Sequence, residues 1–313
     1  MKSEDLYRAI NGADADLLER SEAGGRKRKS GWLKWGAMAA CLCLVVIGAV
    51  IRRPFMPSHD EGIGITVSEN GVTIPKMKVS LSASEAADMI AFFIYQGRCY
   101  VHYEWFYDDA DLVGEYLGTA TGLIDEWTPK EGYVELAGSI GGDFYSVKGY
   151  DPSFMLCMKE ASANVVDTYI CNNGITLKYG SELYEDRLHL SGSIASVQYE
   201  SRDSWYFSRG ERYQMNSVND IVLDFIQEMD SAQFVPSNSV PLDKGKTNMA
   251  ETESYHLYFC MENGTTVHLR LSENGYVRFQ GMWDLCVQVP EESCRALLGL
   301  LDSRADSVAV EVE

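Results

Sequence analysis

The run Trp32–Ile51, "WLKWGAMAACLCLVVIGAVI", constrains this chain more than any other stretch, because its 20 residues carry one charge, Lys34. At about 1.5 Å per residue a helix of that length spans roughly 30 Å, the hydrocarbon thickness of a bilayer. A core helix of a soluble fold shows an apolar stripe backed by polar residues, and Gly36–Ile51 has no polar face. A cleaved signal peptide has an apolar region of about 7–15 residues ending at a small-x-small site. Here Val50-Ile51-Arg52-Arg53-Pro54 offers no such site, and ten apolar residues follow Cys41, which does not suit lipid attachment there. The segment therefore reads as an uncleaved signal anchor, a transmembrane helix over 32–51. Trp32 and Trp35 sit at the interface, Lys34 snorkels to the headgroups, and Arg52 and Arg53 stop the run.

Positive charge sets the orientation. Arg26, Lys27, Arg28, Lys29 and Lys34 flank the N-terminal side, against Arg52 and Arg53 on the other. The positive-inside rule places residues 1–31 in the cytoplasm and residues 54–313 outside it, the expected localisation being a single pass through the cell membrane. Charge is as unevenly spread as hydropathy. Residues 1–58 hold ten Lys+Arg and six acids, which leaves 17 basic against 40 acidic residues beyond Ser58 in a chain of net charge −19. Such an acidic body repels phosphate backbones, so nucleic acid is excluded as a partner of the large domain.

The cytoplasmic segment reads as two short helices broken at Asn11-Gly12, too small to bury a core alone. It reads as a solvated leader ahead of the span or, functionally, as an amphipathic handle for a cytoplasmic protein partner. "MKSEDLYRAINGADADLLERSE", the basic cluster after it and "GWLKWGAMAACLCLVV", with "YQGRCYV" at 95–101 and "YSVKGYDPSFMLCM" at 145–158, resemble a group of bacterial single-pass membrane proteins. Genes of that group often lie beside those of extracytoplasmic-function sigma factors. The resemblance implies an anti-sigma-like or sensor role and a sigma factor as partner. It covers chiefly the first 50 residues and carries no site residues, and residues 1–31 contain no His or Cys to form a zinc motif.

After a stalk over 54–64, the body reads as a β-rich subdomain over 65–190 and an α+β subdomain over 191–305. Four x-Asn-Gly turns punctuate it, at Asn70-Gly71, Asn173-Gly174, Asn263-Gly264 and Asn274-Gly275. Both residues of Asn-Gly tolerate positive φ, so each turn between alternating apolar runs predicts a hairpin, including one over Val165–Tyr179. Further hairpins are expected about Gln96-Gly97 and over Ile194–Phe207. In Tyr255–Gln280 the alternation places Tyr255, Leu257, Phe259, Met261, Val267, Leu269, Leu271, Val277 and Phe279 on a buried face. His256, Thr266, His268, Arg270, Arg278 and Gln280 lie opposite, giving an antiparallel meander with one buried face. Amphipathic covering helices are expected after Asn216 or Ser217, with Val218, Ile221, Val222, Phe225 and Met229 inward, and after Pro290, with Cys294, Leu297, Leu298 and Leu301 inward. These two strand-then-helix units, joined by a polar loop over 235–252, form a weak repeat. The fold class is one N-terminal transmembrane helix plus an extracytoplasmic β-rich α+β body.

No catalytic, cofactor-binding or metal-ligating residue is assigned, and no cofactor is implied. His59, His102, His189, His256 and His268 show no metal-ligand spacing and read as partly exposed strand or loop residues. Asp109 and Asp111 lack the spacing of a calcium loop. Cys99, Cys157, Cys171, Cys260, Cys286 and Cys294 are an even set in an exported domain, and their disulfide state stays open. Trp105, Trp127, Trp205 and Trp283 read first as core, and as a stacking platform if they cluster exposed on one face. The functional expectation is a membrane-anchored sensing or interaction protein, with an envelope-anchored hydrolase or a glycan-binding module as alternatives.

Overall fold

The computed structural model describes residues 64–77, 90–107, 111–122, 134–159, 164–242 and 244–310. The expected cytoplasmic segment 1–31, the span 32–51 with its flanking Trp and basic residues, and the stalk up to residue 63 lie outside the described residues, as do His59, Asp109 and Trp127. Among the described residues no helix is long and apolar enough to cross a membrane.

The body is β-rich and its sheets are antiparallel. β1 (Thr66–Ser68) and β2 (Gly71–Ile74) form the first Asn-Gly hairpin, with Ser68 opposite Gly71. Gly71 sits at φ 118° and a Cβ there would lie 2.4 Å from the Leu177 carbonyl oxygen, so only glycine fits. β3 (Phe92–Tyr95) and β4 (Arg98–Tyr107) pair about Gln96-Gly97, both at positive φ as a two-residue hairpin turn demands. With β5 (Val113–Thr121), β6 (Gly141–Val147), β7 (Met155–Lys159) and β8 (Val165–Ile170) they make a six-stranded sheet of order β3-β4-β8-β7-β6-β5.

β9 (Ile175–Leu177) departs from expectation. It pairs with β2 and not with β8, so Val165–Tyr179 is no hairpin. The reason is tertiary. Asn173 donates its amide to the Cys99 carbonyl at 3.0 Å and accepts from the Met77 N–H at 3.2 Å, while Asn172 donates to Gly281 at 2.8 Å. These bonds hold the turn against other segments and send the chain to another sheet. A short helix, α1 (Ser181–Tyr184), follows in a region expected to be nearly all β.

The remaining strands form one eight-stranded sheet. β10 (Ile194–Ser201) runs into helix α2 (Arg202–Tyr206) and then β11 (Arg212–Met215). The hairpin expected over Ile194–Phe207 is thus a strand and a helix, because the Ser201 hydroxyl caps α2 by accepting from the Ser204 N–H at 3.1 Å. α3 (Asp220–Ser231) leads to β12 (Phe234–Pro236) and the 3₁₀ turns η1 (Ser237–Ser239) and η2 (Met249–Thr252). Then come β13 (Glu253–Met261), β14 (Thr266–Ser272), β15 (Tyr276–Phe279), β16 (Leu285–Gln288), α4 (Glu291–Ser303) and β17 (Ser307–Val310).

The sheet order is β12-β16-β15-β14-β13-β10-β11-β17. α3 therefore carries the chain from near one edge to the other, α4 carries it back, and the two helices pack together. The cap of α3 is Asn219, which accepts from Val222 N–H at 3.2 Å, and not Asn216 or Ser217. Val222, Phe225 and Met229 are buried as expected, Ile226 joins them, and Ile221 lies outside. α4 buries Cys294, Leu297 and Leu301 as its spacing predicts.

Every strand up to residue 177 lies in the three- and six-stranded sheets and every strand from 194 in the eight-stranded one. Their side chains nevertheless share one core, with Ile74, Phe154 and Ile170 joining Val267, Phe279 and Leu297. Gly62–Glu313 is one compact unit. Each large apolar side chain fully buried there contributes about 1.5–3 kcal/mol.

Candidate functional site

Alternation along β13 and β14 sends Leu257, Phe259, Val267 and Leu269 into the core and leaves the intervening side chains on the second face of the sheet. Strand register then aligns them. Arg212 lies opposite Glu200, Glu200 opposite His256, His256 opposite Arg270 and Arg270 opposite Arg278, one row across β11, β10, β13, β14 and β15. Directly opposed side chains on one face are in contact range, so register alone brings these groups together. A bulge at the start of β13, between Glu253 and Tyr255, adds Glu253 to the same face; unbroken alternation would have turned it to the core.

This face is not solvated, which corrects the expectation of a meander with a single buried face. His256 and His268, expected to be partly exposed, are 0% and 4% exposed, and Glu200, Glu253, Arg270 and Arg278 are buried as well. Residues distant along the chain supply the cover. The turn from β10 into α2 folds Trp205 back onto His256, the rings stacked with centroids 4.5 Å apart. The β15–β16 connection lays Trp283 over Arg270 and Arg278, 4.0 and 4.5 Å from the guanidinium carbons, and Trp205 flanks Arg270 from its other contact at 4.6 Å. In the loop expected to be merely polar, Val240 and Met249 pack with Cys286 against the same face.

The charges fall into two linked groups. Glu253 accepts from Arg270 Nη1 at 3.2 Å and from Arg278 Nη2, and Arg270 Nε donates to Gln280 at 2.6 Å. Glu200 accepts from Arg212 at 3.0 Å, Tyr258 at 2.7 Å and Ser204 at 2.9 Å, and Arg212 stacks on the Tyr258 ring at 3.8 Å. Between them His256 Nδ1 and His268 Nε2 share a hydrogen bond of 2.9 Å. Glu253 can only accept, so the tautomer that suits it carries the proton on His256 Nε2, and His268 then donates to His256. Burial, then the charges of Arg270 and Arg278, pushes the His256 imidazole down to about 3. Burial and the neighbouring His256 hold His268 well below its ordinary value. Both rings are neutral at physiological pH.

The six-stranded sheet reaches this layer through β4. Tyr103 accepts from the His268 N–H at 3.3 Å and donates to the Thr266 carbonyl at 3.1 Å, with its ring against Phe279. Burial raises the carboxyl of the next residue, Glu104, against the opposing pull of His102 and Arg212.

Four donors of the layer have no hydrogen-bond partner among the described residues: Arg212 Nε, Arg270 Nη2, Arg278 Nε and His256 Nε2, which stands 3.9 Å from Glu253. A groove of about 390 Å³ lies elsewhere, between α3 and α4, and is lined by Asp224, Glu228 and Glu292 with Ile221 and Pro290. It brings together solvated carboxylates and, among the described residues, no opposing charge.

Of the residues singled out from sequence, the structure gathers His256, His268, Trp205 and Trp283 in this layer. His102 is elsewhere, on Asp167 at 3.2 Å, His189 sits beside Tyr150, and Trp105 stacks edge-on with Tyr107 at the surface. Asp111 pairs with Lys148, and among the described residues no group of three or more ligating side chains is placed for a metal ion. Cys99, Cys171, Cys260, Cys286 and Cys294 are free thiols. Burial raises Cys99 and Cys286 to about 12, which leaves them inert as nucleophiles at neutral pH. Glu200, Glu253, Arg212 and Tyr258 went unnoticed in the sequence. The one signal available was the register of β10 and β13, which needs the pairing partner. No protein-family model, curated protein or solved structure matches this chain.

Proposed function

We propose that this protein is a single-pass membrane-anchored sensor, whose extracytoplasmic body presents the layer around Arg270 as its ligand-facing site. The observation that carries the reading is the row Arg212–Glu200–His256–Arg270–Arg278, whose His256, Arg270 and Arg278 are buried beneath two tryptophans that reach the surface at 38% and 45% exposure. Buried ion pairs bring no more stability than well-packed apolar side chains of the same size, because desolvation offsets their attraction. A sheet face built from charges where Leu and Val would serve is therefore explained by what it binds. The anchor rests on the apolar run Trp32–Ile51 and its basic flank, with the bilayer as its partner. A change in the body reaches the cytoplasm only through that run and residues 1–31, and the resemblance makes a sigma factor the partner of those residues.

Protease added to spheroplasts tests the topology: residues 54–313 are cleaved from outside while an epitope ahead of residue 26 stays protected. Protection of the body overturns the anchor reading. A sigma factor co-purifies with the full chain and is lost when residues 1–31 are deleted; failure to recover one overturns the sigma partner. A glycan-binding module is the second reading, favoured by the pairing of Trp205 and Trp283 about one arginine.

A further inference from the structure

Arg270 and Arg278 are linked by one carboxylate, that of Glu253. Two guanidiniums against one carboxylate leave an excess of one positive charge in a face from which water is largely withdrawn. The histidines beside them are neutral and do not add to it. Each guanidinium also keeps a donor with no partner among the described residues, Nη2 on Arg270 and Nε on Arg278, on residues 2% and 5% exposed. An unpaired buried donor is costly, and more so when charged, so the layer is incomplete as an electrostatic unit. An oxyanion supplies both missing terms at once, a negative charge and acceptor lone pairs for the guanidinium edges.

The cover indicates the shape of what brings that oxyanion. Trp283 is 45% exposed, lies in the connection after Gly281, and holds its place over Arg270 and Arg278 by cation–π contact. Such a contact on a half-exposed ring is a modest barrier to swinging the indole aside. Trp205, 38% exposed, stays fixed by its stack on His256 and by the cap of its helix. A ligand entering between the two indoles meets flat apolar faces around a charged floor. That arrangement suits a flat or ring-shaped body bearing one anionic group.

We infer that Arg270 and Arg278, under Trp205 and Trp283, form a binding site for a small carboxylate carried on a ring. The inference rests on reading this layer as the ligand-facing site, and it names the ligand class. Either an aromatic acid or an acidic sugar meets the description, and the probes separate them. The full chain in lipid nanodiscs is titrated with benzoate, with glucuronate, and with benzamide as the uncharged isostere of benzoate, and binding is followed by calorimetry.

At least one of the two acids saturates with a Kd at or below about 1 mM, and benzamide does not. Trp283→Ala and Arg278→Lys each raise that Kd tenfold or more, while Trp105→Ala, on the other sheet, leaves it unchanged. Trp283 is largely outside the core, so its variant folds even where Arg278→Lys does not. Saturation by benzoate alone assigns an aromatic acid, and by glucuronate alone an acidic sugar. If neither acid saturates, if benzamide binds as tightly as benzoate, or if Trp283→Ala leaves the Kd unchanged, the inference is wrong. Binding is measured without reference to topology or to a sigma factor, so its failure leaves the anchor and partner tests standing.

Discussion

Glu253 is the side chain on which the second sheet face depends most directly, because two buried guanidiniums share its carboxylate. Glu253→Ala leaves both charges unpaired in a site without water to solvate them. Breaking a buried pair from one side costs about 3–5 kcal/mol, and urea denaturation of the variant checks that loss. Asp230 presents the opposite case. Its Oδ1 has no partner, and burial, then Glu185 and Asp186, raises its carboxyl from 3.8 to about 6. A carboxyl whose folded value exceeds its unfolded one stabilises below the unfolded value and loses that contribution as pH rises through the folded one. Asp230→Asn is therefore expected to raise Tm at pH 7, the gain vanishing as pH falls below 4. An unchanged Tm at pH 7 would show that Asp230 is solvated in the folded protein.

At the scale of elements, three of the four Asn-Gly turns are the hairpins that local sequence predicts: β1–β2, β13–β14 and β14–β15. There the turn closes on its own flanking strands, so positive φ and alternation are sufficient information. The fourth, at Asn173-Gly174, fails because its amides bind Cys99, Met77 and Gly281, whose proximity no local window contains. Helix starts show the same division. Both covering helices were legible from apolar spacing, whereas the cap of α3 was misplaced, since Asn216, Ser217 and Asn219 are all good caps and packing selects among them. Asn219→Ala is expected to cost about 1 kcal/mol and Ser217→Ala much less, as compared by thermal unfolding. An equal loss in both would place the cap elsewhere.

At the scale of the molecule, the neutral histidines make stability depend on pH. His256 falls from 6.5 in the unfolded chain to about 3 when folded, and His268 shifts in the same direction. The unfolded state binds protons first as pH drops below 6.5, so stability is greatest above that value and declines toward 3. Two such groups set a slope of at most about 2.7 kcal/mol per pH unit, and Asp230, of opposite sign between about 4 and 6, removes up to half of it. Stability at pH 5 is thus expected to lie below that at pH 7, and the decline to steepen in Asp230→Asn; denaturation midpoints across pH 5–7 test both. A flat profile would mean that His256 and His268 are reached by water in the folded state.

Alternation, turn chemistry and apolar spacing are properties of a few neighbouring residues. By itself, therefore, the sequence determined a β-rich antiparallel body, its local hairpins and its two amphipathic helices. It also determined which side of the meander His256, His268, Arg270 and Arg278 occupy, since side-chain direction in a strand has period two. Whether that side meets water is a property of what packs upon it. Trp205 arrives from a helix some 50 residues before His256 along the chain, Trp283 from a later loop and Met249 from η2. Only the tertiary structure brings these together, and with them it turns a row of ordinary polar strand residues into a buried charge layer with donors left to satisfy.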